Sequence, residues 1–284
     1  MLAAAIAAAG QSRDFSGQSA LEITQKIVAF GPRPPASAAL KRLESFIRER
    51  LKLYRATVSE DAFTATTPLG PMPMRNLIAR FAGTSGRVIV VSGHYDTKLM
   101  PGISFVGAND GGSSAGFLLE LARVLHHLRT ADDIYLVWFD GEEAIGEWSD
   151  TDGIHGSRHL AARWAAQGFL PRVKALINVD MIGDKDLQLA EESQSSPTLR
   201  RMVRQVAADL GYAAHFETHA SSVTDDHVPF VRQGVNAIDL IDFTYGPLNS
   251  YWHSPADTPD KLSARSFEIT GRIVLELIRR LDGK

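Results

Sequence analysis

The chain has 284 residues, 22% charged and 44% hydrophobic, enough for one large globular domain or two small ones. A net charge of −3 offers no basic surface for nucleic acid or an anionic membrane. The lack of cysteine excludes disulfides, thiol catalysis and Cys-ligated zinc, so any metal must be held by His, Asp or Glu.

Residues 1–10 are Ala-rich, carry no basic segment and are too short to span a membrane. Residues 1–16 read as a tail or signal remnant, which favours a secreted or periplasmic protein. No later stretch is apolar for long enough to form a membrane span. Leu21, Ile23, Ile27 and Val28 have helical spacing within residues 19–30, and Gly31-Pro32 stops that helix. Ser37 caps a second helix that ends near Leu53, with Leu40, Leu43, Phe46 and Ile47 on one face. Residues 56–66 and 74–81 read as strands around the turn-rich Pro68-Leu69-Gly70-Pro71. Further strands are expected at 87–92, 134–139, 173–179 and 235–241, and helices at 113–128, 157–166, 197–210 and 266–281. This alternation predicts an α/β fold, a three-layer sandwich whose central, mostly parallel mixed sheet is flanked by helices. No linker divides it.

Acids and histidines fall at the ends of these strands. The apolar run 134–139 is broken by Asp140-Gly141, and the adjacent carboxylates Glu142 and Glu143 follow. The carboxyl end of a strand is where an α/β sheet presents reactive groups. One acid can ligate a metal while its neighbour handles protons, although such a pair also suits an exposed helix start. His94-Tyr95-Asp96 follows the strand at 87–92, Asp180 follows the one at 173–179, and Tyr251-Trp252-His253 lies beyond the last. Asp110, in Gly107-Ala108-Asn109-Asp110-Gly111-Gly112, precedes a helix and also fits an N-cap. Oxygen and nitrogen ligands without sulfur suit a catalytic zinc with an open position.

His-Tyr-Asp, Gly-Ala-Asn-Asp, Asp-Gly-Glu-Glu-Ala, Asn-Val-Asp-Met-Ile-Gly, Asp-Asp-His and the late Trp-His, from about Leu77 onward, resemble the zinc-dependent M28 peptidase superfamily. Glu142-Glu143-Ala144-Ile145-Gly146-Glu147-Trp148-Ser149, followed after a short insert by Gly156-Ser157-Arg158-His159, looks specifically like glutaminyl cyclase, the branch that forms N-terminal pyroglutamate. His94-Tyr95-Asp96-Thr97-Lys98, Phe105-Val106-Gly107-Ala108 and Asp225-Asp226-His227-Val228-Pro229-Phe230 carry the same likeness.

The resemblance implies a zinc-aminopeptidase-like fold over residues 17–284. It also implies one zinc per chain, held by Asp110, Glu143 and His253. Glu142 would be the general acid/base, with Asp180 and Asp225 in a hydrogen-bonded acid network beside it; Asp226 is the alternative to Asp225. Trp148 and Trp252 would wall the pocket, unless they are ordinary core residues. The substrate would be a peptide or protein with N-terminal Gln, and the enzyme a monomer. The animal cyclases carry a disulfide where this chain has Gly93 and Ala115, so that staple is missing. A two-zinc aminopeptidase is the rival, since His94, Asp110, Glu143, Asp180 and His253 supply its ligands in kind. A non-catalytic binding module on the same scaffold is less consistent with an intact ligand set.

Overall fold

The computed structural model describes residues 14–283; of the segment read as a tail or signal remnant, 1–16, residues 1–13 lie outside them. Helices α1 (Gly17–Val28) and α2 (Ala38–Leu51) precede a hairpin of β1 (Thr57–Thr67) and β2 (Gly70–Phe81). Then come β3 (Val88–His94), α3 (Gly112–His127), β4 (Asp133–Phe139), α4 (His155–Ala166) and β5 (Val173–Asp180). The chain continues through β6 (Leu189–Glu192), α5 (Pro197–Asp209), β7 (Phe216–Ser221), α6 (Val228–Arg232), β8 (Ala237–Ile241) and α7 (Ala264–Asp282). The Ser16 and Ser37 hydroxyls accept from the N–H groups of Ser19 and Leu40, which starts α1 and α2.

A six-stranded sheet runs β1-β2-β4-β3-β5-β8. The first hairpin is antiparallel, β2 meets β4 antiparallel, and β4, β3, β5 and β8 are mutually parallel. Both faces are covered. Ile89 and Val91 enter the core shared with α1, α2, α3, α5 and α7, whereas Val88 and Val90 pack towards α4 and α6. Burial on two faces accounts for the unbroken apolar runs of the parallel strands. In register, His94 lies beside Phe139 and Asp180 beside Ile241, so the parallel strands deliver their carboxyl ends to one rim.

Two departures from the sequence pattern have physical causes. Strand β2 starts at Gly70 rather than near Met74, through Pro71 and Pro73. Strand β4 pairs with β2 only from Leu77 onward, so the missing N–H groups leave no bond to β4 unmade. Strands β6 and β7 form a separate two-stranded parallel sheet within a segment that reads as polar. Only Phe216 of β7 is buried, so the strand has no alternating pattern to betray it.

Close packing stands at the position of the missing staple. A Cβ added to Gly93 would lie 2.6 Å from both the Ser114 Cβ and the Val179 carbonyl oxygen. The junction of β3, α3 and β5 therefore admits no side chain without a backbone shift. Gly93→Ala should lower stability by about 1–3 kcal/mol, the usual cost of overpacking. Urea unfolding checks this, and an unchanged midpoint would show that the junction yields freely.

Candidate active site

Asp110, Glu142, Glu143, Trp148, Asp180, Asp225, Trp252 and His253 all line one cavity of about 490 Å³ at this rim. Asp226 is fully buried and is not part of the wall. The pair Glu142-Glu143 does not open a helix. It sits in the irregular connection between β4 and α4, with Glu142 8% and Glu143 2% exposed. The turn is fixed by Asp96, whose carboxylate accepts from the N–H groups of Glu142 and Glu143, each at 3.3 Å. Nor does Asp110 cap α3. The N-cap is Gly111, at φ 75°, and the Asp110 side chain is free to face the cavity.

Asp257, which sequence reasoning did not single out, anchors the Asp110 loop. It accepts from Asn109 N at 2.8 Å, Asp110 N at 3.2 Å and the Tyr245 hydroxyl at 2.7 Å. His253 lies on the connection between β8 and α7 that also carries Asp257, with φ 48°, a left-handed backbone uncommon outside glycine and often found at functional sites. Its Nε2 lies 2.9 Å from Glu143 Oε1 and 3.2 Å from Asp110 Oδ2.

These contacts set the charge. Burial would lower the His253 imidazole, but its hydrogen bonds to Asp110 and Glu143 win and lift it to about 9. Burial, with Asp110 as a like-charged neighbour, raises Glu143 to about 7 against the pull of His253. Burial also raises Asp110, yet hydrogen bonds from His253 and His94 hold it well below the usual carboxylate range. Glu142 is raised well above the usual carboxylate range: burial dominates, His94 opposes it, and Asp225, Glu143 and Asp226 add to it. Burial takes Asp180 to about 6 despite His94, whose Nε2 is 3.1 Å from Asp180 Oδ1 and 3.2 Å from Asp110 Oδ1.

Among the described residues, two overlapping sets offer potential ligand atoms within 4.8 Å of one another, Asp110 with Glu143 and His253, and Asp110 with His94 and Asp180. Asp110 Oδ2 is buried without a well-directed hydrogen bond. Oxygen and imidazole donors this close, with an orphaned carboxylate oxygen among them, fit a divalent cation.

The two tryptophans are not core residues. Trp148 is 44% and Trp252 37% exposed. Trp252 stacks on the His253 ring at 4.0 Å and meets Phe243 edge-on at 5.0 Å. Trp148 packs over Gly153, where an added Cβ would lie 2.9 Å from the indole. Phe243 and residues 221–224 also line the cavity and were missed, since a lone aromatic and a Ser-Ser-Val-Thr loop carry no chemical signature. Asp257 had a visible signal, an acid four residues beyond His253.

Comparison with known proteins identifies the family. The model of peptidase family M28 matches residues 76–278. A glutaminyl-peptide cyclotransferase of Drosophila melanogaster is 30% identical over 252 residues, 80% of this chain and 70% of that one. The crystal structure of an Acidobacteriales bacterium glutaminyl cyclase shares 41% identity and superimposes with a TM-score of 0.92 over 95% of both chains. That of Porphyromonas gingivalis glutaminyl cyclase shares 30% identity with a TM-score of 0.86, over 94% of this chain and 98% of that one. The chain belongs to peptidase family M28 and, within it, to the glutaminyl cyclase enzymes.

Proposed function

We propose that the chain converts the N-terminal Gln of a peptide to pyroglutamate and releases ammonia, with one zinc ion held by Asp110, Glu143 and His253. The observation that supports this most is the convergence on one cavity of that ligand set, the buried Glu142 and two half-exposed indoles. Bound zinc would supply Lewis-acid polarisation of the substrate's side-chain amide carbonyl.

The substrate's own α-amine is the nucleophile, so neither Ser nor Cys is needed. Its nitrogen bonds to the side-chain amide carbon while the bond from that carbon to the amide nitrogen breaks. Glu142 takes a proton from the amine and returns one to the departing nitrogen, which leaves as ammonia. Burial and the Asp225 charge raise its proton affinity, which suits a group that must hold and then donate a proton. Asp180 and Asp225 form the acid network beside it. Trp148 and Trp252 wall the substrate and exclude the water that competes for the same carbonyl. A monomer is part of this reading. Among the described residues no helix is long and apolar enough to cross a membrane, and the Ala-rich start suits export.

A second reading, a two-zinc aminopeptidase, is favoured by the His94, Asp110 and Asp180 set. Metal content separates the two. One zinc per chain should support full activity, and His94 should be dispensable for holding it. Elemental analysis that finds two equivalents, with activity lost at one, would favour the aminopeptidase.

The pH profile tests the nucleophile. Because only the neutral amine attacks, kcat/KM on Gln peptides should rise through the amine pKa, about 7.7–8.0. A profile flat from about pH 6 to 9 would remove amine deprotonation from the reaction.

Isosteric amides separate the paired acids. Glu143→Gln weakens a ligand, so zinc content should fall and added zinc should restore part of the rate. Glu142→Gln should keep its zinc and lose roughly 10²–10⁴ in kcat, beyond rescue by zinc. A metal-free Glu142→Gln beside a loaded Glu143→Gln would reverse the roles.

A further inference from the structure

A second hollow, about 760 Å³, adjoins the active-site cavity, and Glu147 lines both. Its near wall is residues 63–68, six in a row. Neighbouring side chains of a strand point to opposite faces, so one hollow touches consecutive residues only by running along the strand's edge. That edge is open. β1 is outermost in its sheet and β2 is its one partner among the described residues. Across the hollow stand Ser149 and Thr151 of the insert and Arg158 of α4.

The prolines of β2 determine which groups face the opening. Pro71 stands opposite Thr66, and Pro73 opposite Thr64. Neither proline has an N–H to give β1, so both pairs are of the non-hydrogen-bonded kind, in which each residue turns its N–H and C=O away from its partner. Thr64 and Thr66 therefore direct two N–H and two C=O groups at the hollow, and both residues are exposed. The Phe63 ring is held below them by stacking on His159, 4.3 Å between centroids.

We propose that this edge binds the residues that follow the N-terminal Gln, the peptide passing Glu147 and adding as a strand to β1. The inference rests on the cyclase reading. A peptide held by its first residue must carry the rest of its chain out of the cavity, and the shared Glu147 boundary leads to a strand edge with unpaired main-chain groups. The six edge residues span roughly 20 Å, room for about five substrate residues. Main-chain pairing gives affinity with little regard to side chains, so the gain should follow peptide length rather than sequence.

The test compares kcat/KM for Gln-initial peptides of two and six residues on the whole enzyme and on Thr66→Pro. The longer peptide should be favoured at least about tenfold, the worth of two or three net hydrogen bonds. Thr66→Pro removes an outward N–H and no β1–β2 bond, so it should keep the dipeptide rate and lose most of that advantage. An N-methyl scan of the hexapeptide's backbone on the unaltered enzyme makes the same test without relying on the variant's folding, and alternate positions should lose the advantage. Equal kcat/KM for the two lengths, or indifference to every N-methyl group, overturns the strand-addition subsite while the cyclase reading stands. No turnover of either Gln peptide overturns both.

Discussion

Carboxylates buried side by side are the constraint on which the rest of the molecule turns. Asp110, Glu142, Glu143, Asp180 and Asp225 are all buried around one cavity. Burying an ionised carboxylate carries an effective penalty of several kcal/mol unless an opposite charge or proton compensates it. Here His94 lies against Asp110 and Asp180, His253 lies against Asp110 and Glu143, and burial favours the protonated form of Glu142. A second rank of acids holds the first in position. Asp96 and Asp257 accept from the backbone N–H groups of Glu142, Glu143 and Asp110, so the main chain of these cavity-lining acids is tied down by side chains from other loops.

Much of this was legible in the sequence because chemistry sits where strands end. His94, Glu142, Glu143 and Asp180 could be placed from the apolar runs that precede them, since a parallel sheet buried on both faces leaves a long hydrophobic signature. Trp148 and Trp252 were assigned to the pocket through resemblance, not through pattern, because an indole in a loop reads equally well as core. Less visible were contacts that depend on which loops meet. Phe243 reaches the cavity because β8 ends beside β5, and that adjacency is a property of strand order, which no local pattern encodes. Strand β7 was hidden for a related reason, since a strand that buries one residue has no alternation to read.

The insert between β4 and α4 shows how a loop without regular structure becomes a fixed wall. Asp152 accepts from the N–H groups of Ile145 and Gly146, at 3.0 and 2.7 Å, and receives the His155 ring at 3.1 Å. Ser149 and Asp152 exchange main-chain hydrogen bonds across the turn. One buried carboxylate thus closes the insert on itself, and Trp148 is carried on the closed loop with its ring lying against Gly153. Any larger residue at 153 would push the indole off its seat.

The Trp252 indole lies face to face with the imidazole of His253, at 4.0 Å and 22° between planes. An aromatic face responds to the charge set against it. Whether that imidazole carries a proton or gives its electron pair to a cation therefore alters the electronic surroundings of the indole directly. Trp138 and Trp164 are buried and do not line this cavity, and Trp148 lines it without a ring contact to His253. The protein thus carries its own chromophore against His253, and its ultraviolet emission is a built-in optical gauge of the charge on that ring.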